Sequence, residues 1–174
     1  MVRAVHYVIR GQRELRSLAY SHFVSRLPME LRQVTADFAV ADQITPADLA
    51  ELKTRGFTTL ICNRPDHEAA DQPTAAQLAE SARLMGFDWH WIPISSGNFT
   101  EEAIVQFQQA LATATRTLAF CRSGTRSITL WSLSQAKHTP PATLLQLGRQ
   151  AGYDLQGSEA RLQGIYQHHK KGNL

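Results

Sequence analysis

Leu118-Ala119-Phe120-Cys121-Arg122-Ser123-Gly124-Thr125-Arg126-Ser127 decides the fold. Arg116 to Phe120 reads as a short buried strand, and a helix runs onward through Leu130, Trp131 and Leu133. A strand that ends in cysteine and passes through a tight glycine- and arginine-bearing loop into a helix turns its loop amides inward. The helix N-terminus adds partial positive charge, so such a loop holds an anion. The same field stabilises a thiolate, the reactive form of cysteine. Cys121 is therefore the candidate nucleophile, and Arg122, Ser123, Gly124, Thr125 and Arg126 are the candidate anion cradle. Gly124 turns the loop where a side chain would clash, and Arg126 can fork two hydrogen bonds onto an oxyanion. Ser127 can donate to the sulfur and ease its departure from a covalent intermediate. A plain core cysteine followed by surface arginines does not account for strand, Cys, Gly, Arg and helix onset coinciding.

Outward from this loop, strands and helices alternate. Leu31 to Val34 and Phe38 to Ala41 read as strands around a turn at Thr35 to Asp37. Thr45, Pro46 and Asp48 open a helix that stops at Gly56. Phe57 to Cys62 is an apolar buried strand, followed by a polar loop from Asn63 to Pro73. Thr74 and Gln77 make a capping box for a helix ending at Gly86, and Asp88 to Ile94 reads as the next strand, with Trp89 and Trp91 on one face. Thr100, Glu101 and Glu102 open the following helix, Pro140 and Pro141 start another that ends at Gly152, and Ser158 begins the last. The alternation predicts an α/β domain over 30–174, a three-layer sandwich with a mostly parallel central sheet and helices on both faces.

With 174 residues, 43% hydrophobic and 19% charged, the chain suits one globular domain and not a disordered one. No apolar run approaches the roughly 18 residues of a membrane span. Two cysteines, with no secretory hydrophobic segment before them, predict a cytoplasmic protein. Residues 1–29 form a basic extension: Arg3, Arg10, Arg13, Arg16 and Arg26 face only Glu14 and Glu30 nearby, and translation starting at Met29 would leave 1–28 dispensable. A charge of +3 is weak support for a polyanionic partner, so neither nucleic acid nor membrane is expected. His6, His22, His90, His138, His168 and His169 lack ligand spacing, and no metal or other cofactor is assigned. Trp89, Trp91 and Trp131 read as core or pocket-wall residues. Cys62 reads as a small apolar strand residue, with resolution of a persulfide on Cys121 as the alternative.

Cys121 to Ser127, Asn63-Arg64-Pro65-Asp66, and the Gln43-Ile44-Thr45 to Leu52 opening together resemble the beta-lactamase-hydrolase-like, phosphatase-like domain family of bacteria. The resemblance spans about 30–155 and implies a fold like that of the dual-specificity phosphatases. Because the family includes domains fused or neighbouring to sulfide-oxidation enzymes, it also implies sulfurtransferase activity. Two departures from the phosphatase pattern matter. Phosphatases of this superfamily place five residues between nucleophile and arginine, whereas only Arg122 to Thr125 separate Cys121 from Arg126, as in the persulfide loop of single-domain rhodaneses. Those phosphatases also carry an aspartic acid in the loop that here reads Ser95-Ser96-Gly97-Asn98. Loss of a general acid costs about 10²–10⁴-fold for a leaving alkoxide, while sulfite or a thiolate departs as an anion.

The expected chemistry is thus a Cys121 persulfide, formed from a small anionic sulfur donor and passed to a thiol acceptor. The alternatives are a phosphatase forming a cysteinyl-phosphate from a phosphate ester, and an anion-binding module without turnover. Arg64 is an accessory anion-binding candidate. Asp66 is a candidate acid for the phosphatase reading, with an ordinary turn or cap role as its alternative.

Overall fold

The computed structural model describes residues 29–172; the expectations for residues 1–28 fall outside the described residues. Five strands form one sheet in the order β1-β2-β5-β3-β4: β1 (Leu31–Gln33), β2 (Phe38–Ala41), β3 (Thr59–Cys62), β4 (Asp88–Trp91) and β5 (Thr117–Phe120). Only β1 runs antiparallel, closing a tight turn onto β2. The other neighbours are parallel, as the crossover helices between them require.

The strands alternate their side chains between two apolar layers. Phe38, Val40, Ile61 and Ala119 face α3 (Glu101–Ala112), α4 (Thr125–Gln135), α5 (Pro141–Gln150) and α6 (Glu159–Gly172). There Phe38 stacks on Trp131 with ring centroids 5.1 Å apart. Ala39, Ala41, Leu60, Cys62, Leu118 and Phe120 face α1 (Leu49–Thr54) and α2 (Ala75–Leu84). The expected three-layer α/β sandwich is the observed one.

Local chemistry sets the element ends. Thr74 accepts from the Gln77 amide and Gln77 reaches back to Thr74, so α2 begins on its capping box. A short 3₁₀ turn, Pro46–Asp48, precedes α1, so the helix proper is shorter than the sequence pattern implies. The strand expected over Phe57 to Cys62 begins only at Thr59, because the Phe57 amide is still bonded to Leu52 at the end of α1. The strand expected to reach Ile94 ends at Trp91: the Ile92 and Ile94 amides still bond the Cys62 and Asn63 carbonyls at 2.9 and 3.1 Å, but two residues on one side then advance against one on the other, so the regular register stops. β4 is also the sheet's edge, so Trp89 is buried while Trp91 is 47% exposed.

Register places the site. Phe120 pairs with Ala41 on one side and Cys62 on the other, and Cys62 pairs with Trp91. Four parallel strands therefore end level, and the residues that follow them emerge along one edge, with Cys121 after the central strand. Ligands of open α/β sheets gather at such carboxyl ends.

Candidate active site

Cys121 is 1% exposed, at the foot of the loop between β5 and α4. The Gly124 amide donates to its Sγ at 3.1 Å. Gly124 is the N-cap of α4 with φ +87, and its carbonyl accepts from Ile128 at 3.0 Å. A side chain is excluded there twice over, by the left-handed backbone and because a Cβ would lie 2.1 Å from the Tyr153 hydroxyl oxygen. Arg122, Ser123 and Thr125 are exposed on the outer rim, and the Ser123 and Thr125 hydroxyls are bonded at 3.1 Å. Ser127 is wholly buried on the first turn of α4, but its Oγ has no hydrogen-bond partner among the described residues. The expected bond from this hydroxyl to the sulfur is not formed in this structure.

The separated motifs meet through side chains. Arg64 follows β3, is 5% exposed, and donates from Nη1 to Gln43 Oε1 at 2.9 Å and from Nε to Glu68 Oε2 at 3.0 Å. Glu68 in turn receives both forks of Arg126, Nη1 to Oε1 at 2.7 Å and Nη2 to Oε2 at 2.8 Å. Arg126 Nη1 also donates to the Ile94 carbonyl at 2.9 Å, beyond the end of β4. Residues from three chain segments thus form one ladder, Gln43–Arg64–Glu68–Arg126, ending at the cysteine loop.

Charge follows from that geometry. Hydrogen bonds from Arg126, and then Arg64, hold the Glu68 carboxyl at about 2, well below its ordinary 4.5, against the opposing effect of burial. The Glu68 bonds in turn raise Arg126 above its usual value, opposed by burial and helped by its proximity to Cys121. Glu68 is therefore a fixed anion across the neutral range.

Asp66 and Glu68 leave the same loop in different directions. Asp66 Oδ1 accepts from the Ala75 amide at 2.7 Å, at the first residue of α2. Between the two carboxylates, His67 adopts a left-handed backbone, φ 65, a conformation histidine enters more readily than most side chains. The Arg64 carbonyl accepts from the Trp91 indole at 3.1 Å, which fixes the loop's root. Cys62, 3% exposed, packs in the α1–α2 layer, and burial pushes its thiol up to about 12. Among the described residues no three His, Cys, Asp or Glu side chains group to hold a metal, and no helix is long and apolar enough to cross a membrane.

Sequence reading missed Glu68 and Tyr153. Glu68 stands four residues after Arg64, where an Arg–Glu pair on a turn is unremarkable. Tyr153 carries no local signal at all: it lies 30 residues from its partner Ser123.

Residues 30–138 match the family model described as beta-lactamase hydrolase-like protein, phosphatase-like domain. A beta-lactamase hydrolase-like protein of Agrobacterium fabrum is 33% identical over 130 residues, which cover 73% of this chain and 30% of that protein. One from Xylella fastidiosa is 31% identical over 108 residues, covering 62% of this chain and 25% of the relative. The chain therefore spans under a third of the length of these curated relatives. Among solved structures, a phosphatase-like protein of Neisseria meningitidis superposes with a TM-score of 0.68 at 28% identity, over 77% of this chain and 96% of its own. Kinase-associated phosphatase, solved with its catalytic cysteine replaced by serine, superposes at 0.64 over 84% of this chain and 97% of its own. At 14% identity that likeness is one of fold alone.

Proposed function

The chain belongs to the family of the beta-lactamase hydrolase-like protein, phosphatase-like domain, and on that premise we propose that it is a cysteine-dependent sulfurtransferase. The observation that carries this reading is the state of the carboxylate beside the loop. Glu68 is locked onto Arg126 and Arg64 and held ionised at about 2, so it has no proton to give. Asp66 is engaged at the start of α2, and Ser95 to Asn98 carry no carboxyl group. Hydrolysis of a phosphate ester needs a proton for the departing alkoxide; release of sulfite needs none.

The Cys121 thiolate attacks the outer, sulfane sulfur of a small anionic donor such as thiosulfate. A new S–S bond forms as the donor's own S–S bond breaks, and sulfite leaves with that bonding pair. The loop amides hold the donor's anionic end, and Arg126, its fork occupied by Glu68 and the Ile94 carbonyl rather than free for an oxyanion, supplies positive charge beside them. Arg122 supplies further charge on the rim. A thiolate acceptor such as glutathione then attacks the outer persulfide sulfur, leaves as its own persulfide, and returns Cys121 to the thiolate. This is covalent catalysis in two easier steps.

Phosphate-ester hydrolysis through a cysteinyl-phosphate is the second reading, favoured by the 28% identity to the phosphatase-like Neisseria protein. Purified protein is assayed with thiosulfate plus glutathione and, separately, with an aryl phosphate, each beside Cys121→Ser. Sulfite release that needs Cys121 is the expected result. Cys121-dependent phosphate release with no sulfite release would replace the first reading by the second. Silence in both assays, with sulfate still bound, would leave an anion-binding module.

A further inference from the structure

We propose that Tyr153 is a positioning residue for the cysteine loop: by holding the Ser123 carbonyl outside the ring, it aims the Gly124 amide at the Cys121 sulfur. The proposal requires Cys121 to be the reacting group and is indifferent to whether sulfur or phosphorus is transferred.

Two hydrogen bonds act on the two ends of a single peptide unit. The Tyr153 hydroxyl donates to the Ser123 carbonyl at 3.0 Å, and the next atom pair along the chain, the Gly124 N–H, donates to Cys121 Sγ at 3.1 Å. A trans peptide is planar, with its C=O and N–H directed oppositely. Fastening the carbonyl on the outside therefore points the amide inside. Without that fastening the unit can rotate, because Gly124 tolerates φ of either sign. The rotated peptide would present a carbonyl oxygen to the sulfur and to any bound anion, and both would be repelled.

Tyr153 is itself anchored from three sides. Its amide donates to the Gly148 carbonyl at 2.9 Å after Gly152 reverses the chain at φ +84. The Arg32 guanidinium lies 5.5 Å over its ring, and Arg32 Nη1 donates to the Ala151 carbonyl at 3.4 Å. Gly124 completes the fit by leaving open the space the phenol occupies, since a Cβ there would sit 2.1 Å from the hydroxyl oxygen. Burial pushes the phenol up to about 12, so it remains a protonated donor through the neutral range. Tyr153 follows α5, beyond residue 138 where the family-matched segment ends. The loop of this chain thus depends on a segment outside that match.

The test is Tyr153→Phe in the full chain, which keeps the ring and removes the donor. Native protein is treated with iodoacetate, Cys121 modification is followed by peptide mass spectrometry, and the dissociation constant of sulfate is taken from its protection against alkylation. Thermal unfolding is recorded in parallel. Alkylation about tenfold slower and sulfate protection about tenfold weaker are expected, the change from turning the Gly124 amide away from the sulfur and the bound anion. A phenol that served packing alone would lower the melting temperature and leave both values as in wild type. Rates and sulfate constants within about twofold of wild type, or no Cys121 alkylation in either chain, would overturn the proposal. Because neither readout uses thiosulfate or a phosphate ester, failure of the sulfurtransferase reading leaves this result standing, and the reverse also holds.

Discussion

Replacing Glu68 by glutamine keeps the shape of the ladder and removes its only negative member, which separates charge from geometry. Lowering a carboxyl from 4.5 to about 2 corresponds to roughly 3 kcal/mol if nothing is lost to solvent. The Glu68 side chain is 30% exposed, and half-solvated ion pairs retain about 1 kcal/mol, so that is the expected loss in Glu68→Gln at pH 7. The sign of the pH effect follows from the direction of the shift. A carboxyl whose value is depressed in the folded state contributes its full stabilisation above the unfolded value, and that contribution disappears as pH falls through the folded value. The gap between wild type and variant should therefore be constant from pH 7 down to about 5 and close between about 4.5 and 2. Urea denaturation at pH 7, 5, 4, 3 and 2, with a shared slope, measures it. A gap that stays constant down to pH 2 would refute the assignment of Glu68 as the anion held by Arg126 and Arg64. A wild type that instead lost stability relative to the variant as pH rose from about 4.5 toward 7 would describe a carboxyl able to act as a general acid.

Gly124→Ala places a Cβ against the Tyr153 hydroxyl at φ +87, so thermal unfolding should show a loss of about 2–4 kcal/mol, partly recovered in the double variant with Tyr153→Ala. Asp66→Ala removes the acceptor for the Ala75 amide and should cost about 1 kcal/mol in denaturant titration while leaving Cys121-dependent turnover within about twofold; a hundredfold loss of phosphate release would restore Asp66 as an acid. Cys62, with its thiol pushed up to about 12 by burial, should escape iodoacetate in the native protein at pH 7, and Cys62→Ala should retain sulfur transfer; a dead Cys62→Ala that is still folded by circular dichroism would make it a resolving thiol.

The elements and the cysteine loop were legible because the rules that form them act over a few residues. Short continuous apolar runs mark β3 and β5, the Thr74–Gln77 box starts α2, and a glycine between Cys121 and a helix onset requires a turn of one hand. The errors in the reading were also local: a register step after Trp91 and the hand-over from α1 to β3 shortened two strands through backbone hydrogen bonding that composition does not display.

What the amino-acid order determined alone was a parallel α/β sheet with a cysteine between the end of one strand and the glycine that opens a helix. What only the tertiary structure decided was the company that cysteine keeps. Glu68 and Arg126 are 58 residues apart, and Tyr153 is 30 from Ser123. They meet because the strands of a parallel sheet end level with one another, and because α5 returns the chain to the same edge. A carboxylate becomes a general acid or a fixed counter-ion according to the charges around it, and those charges reach Glu68 only when the sheet has assembled.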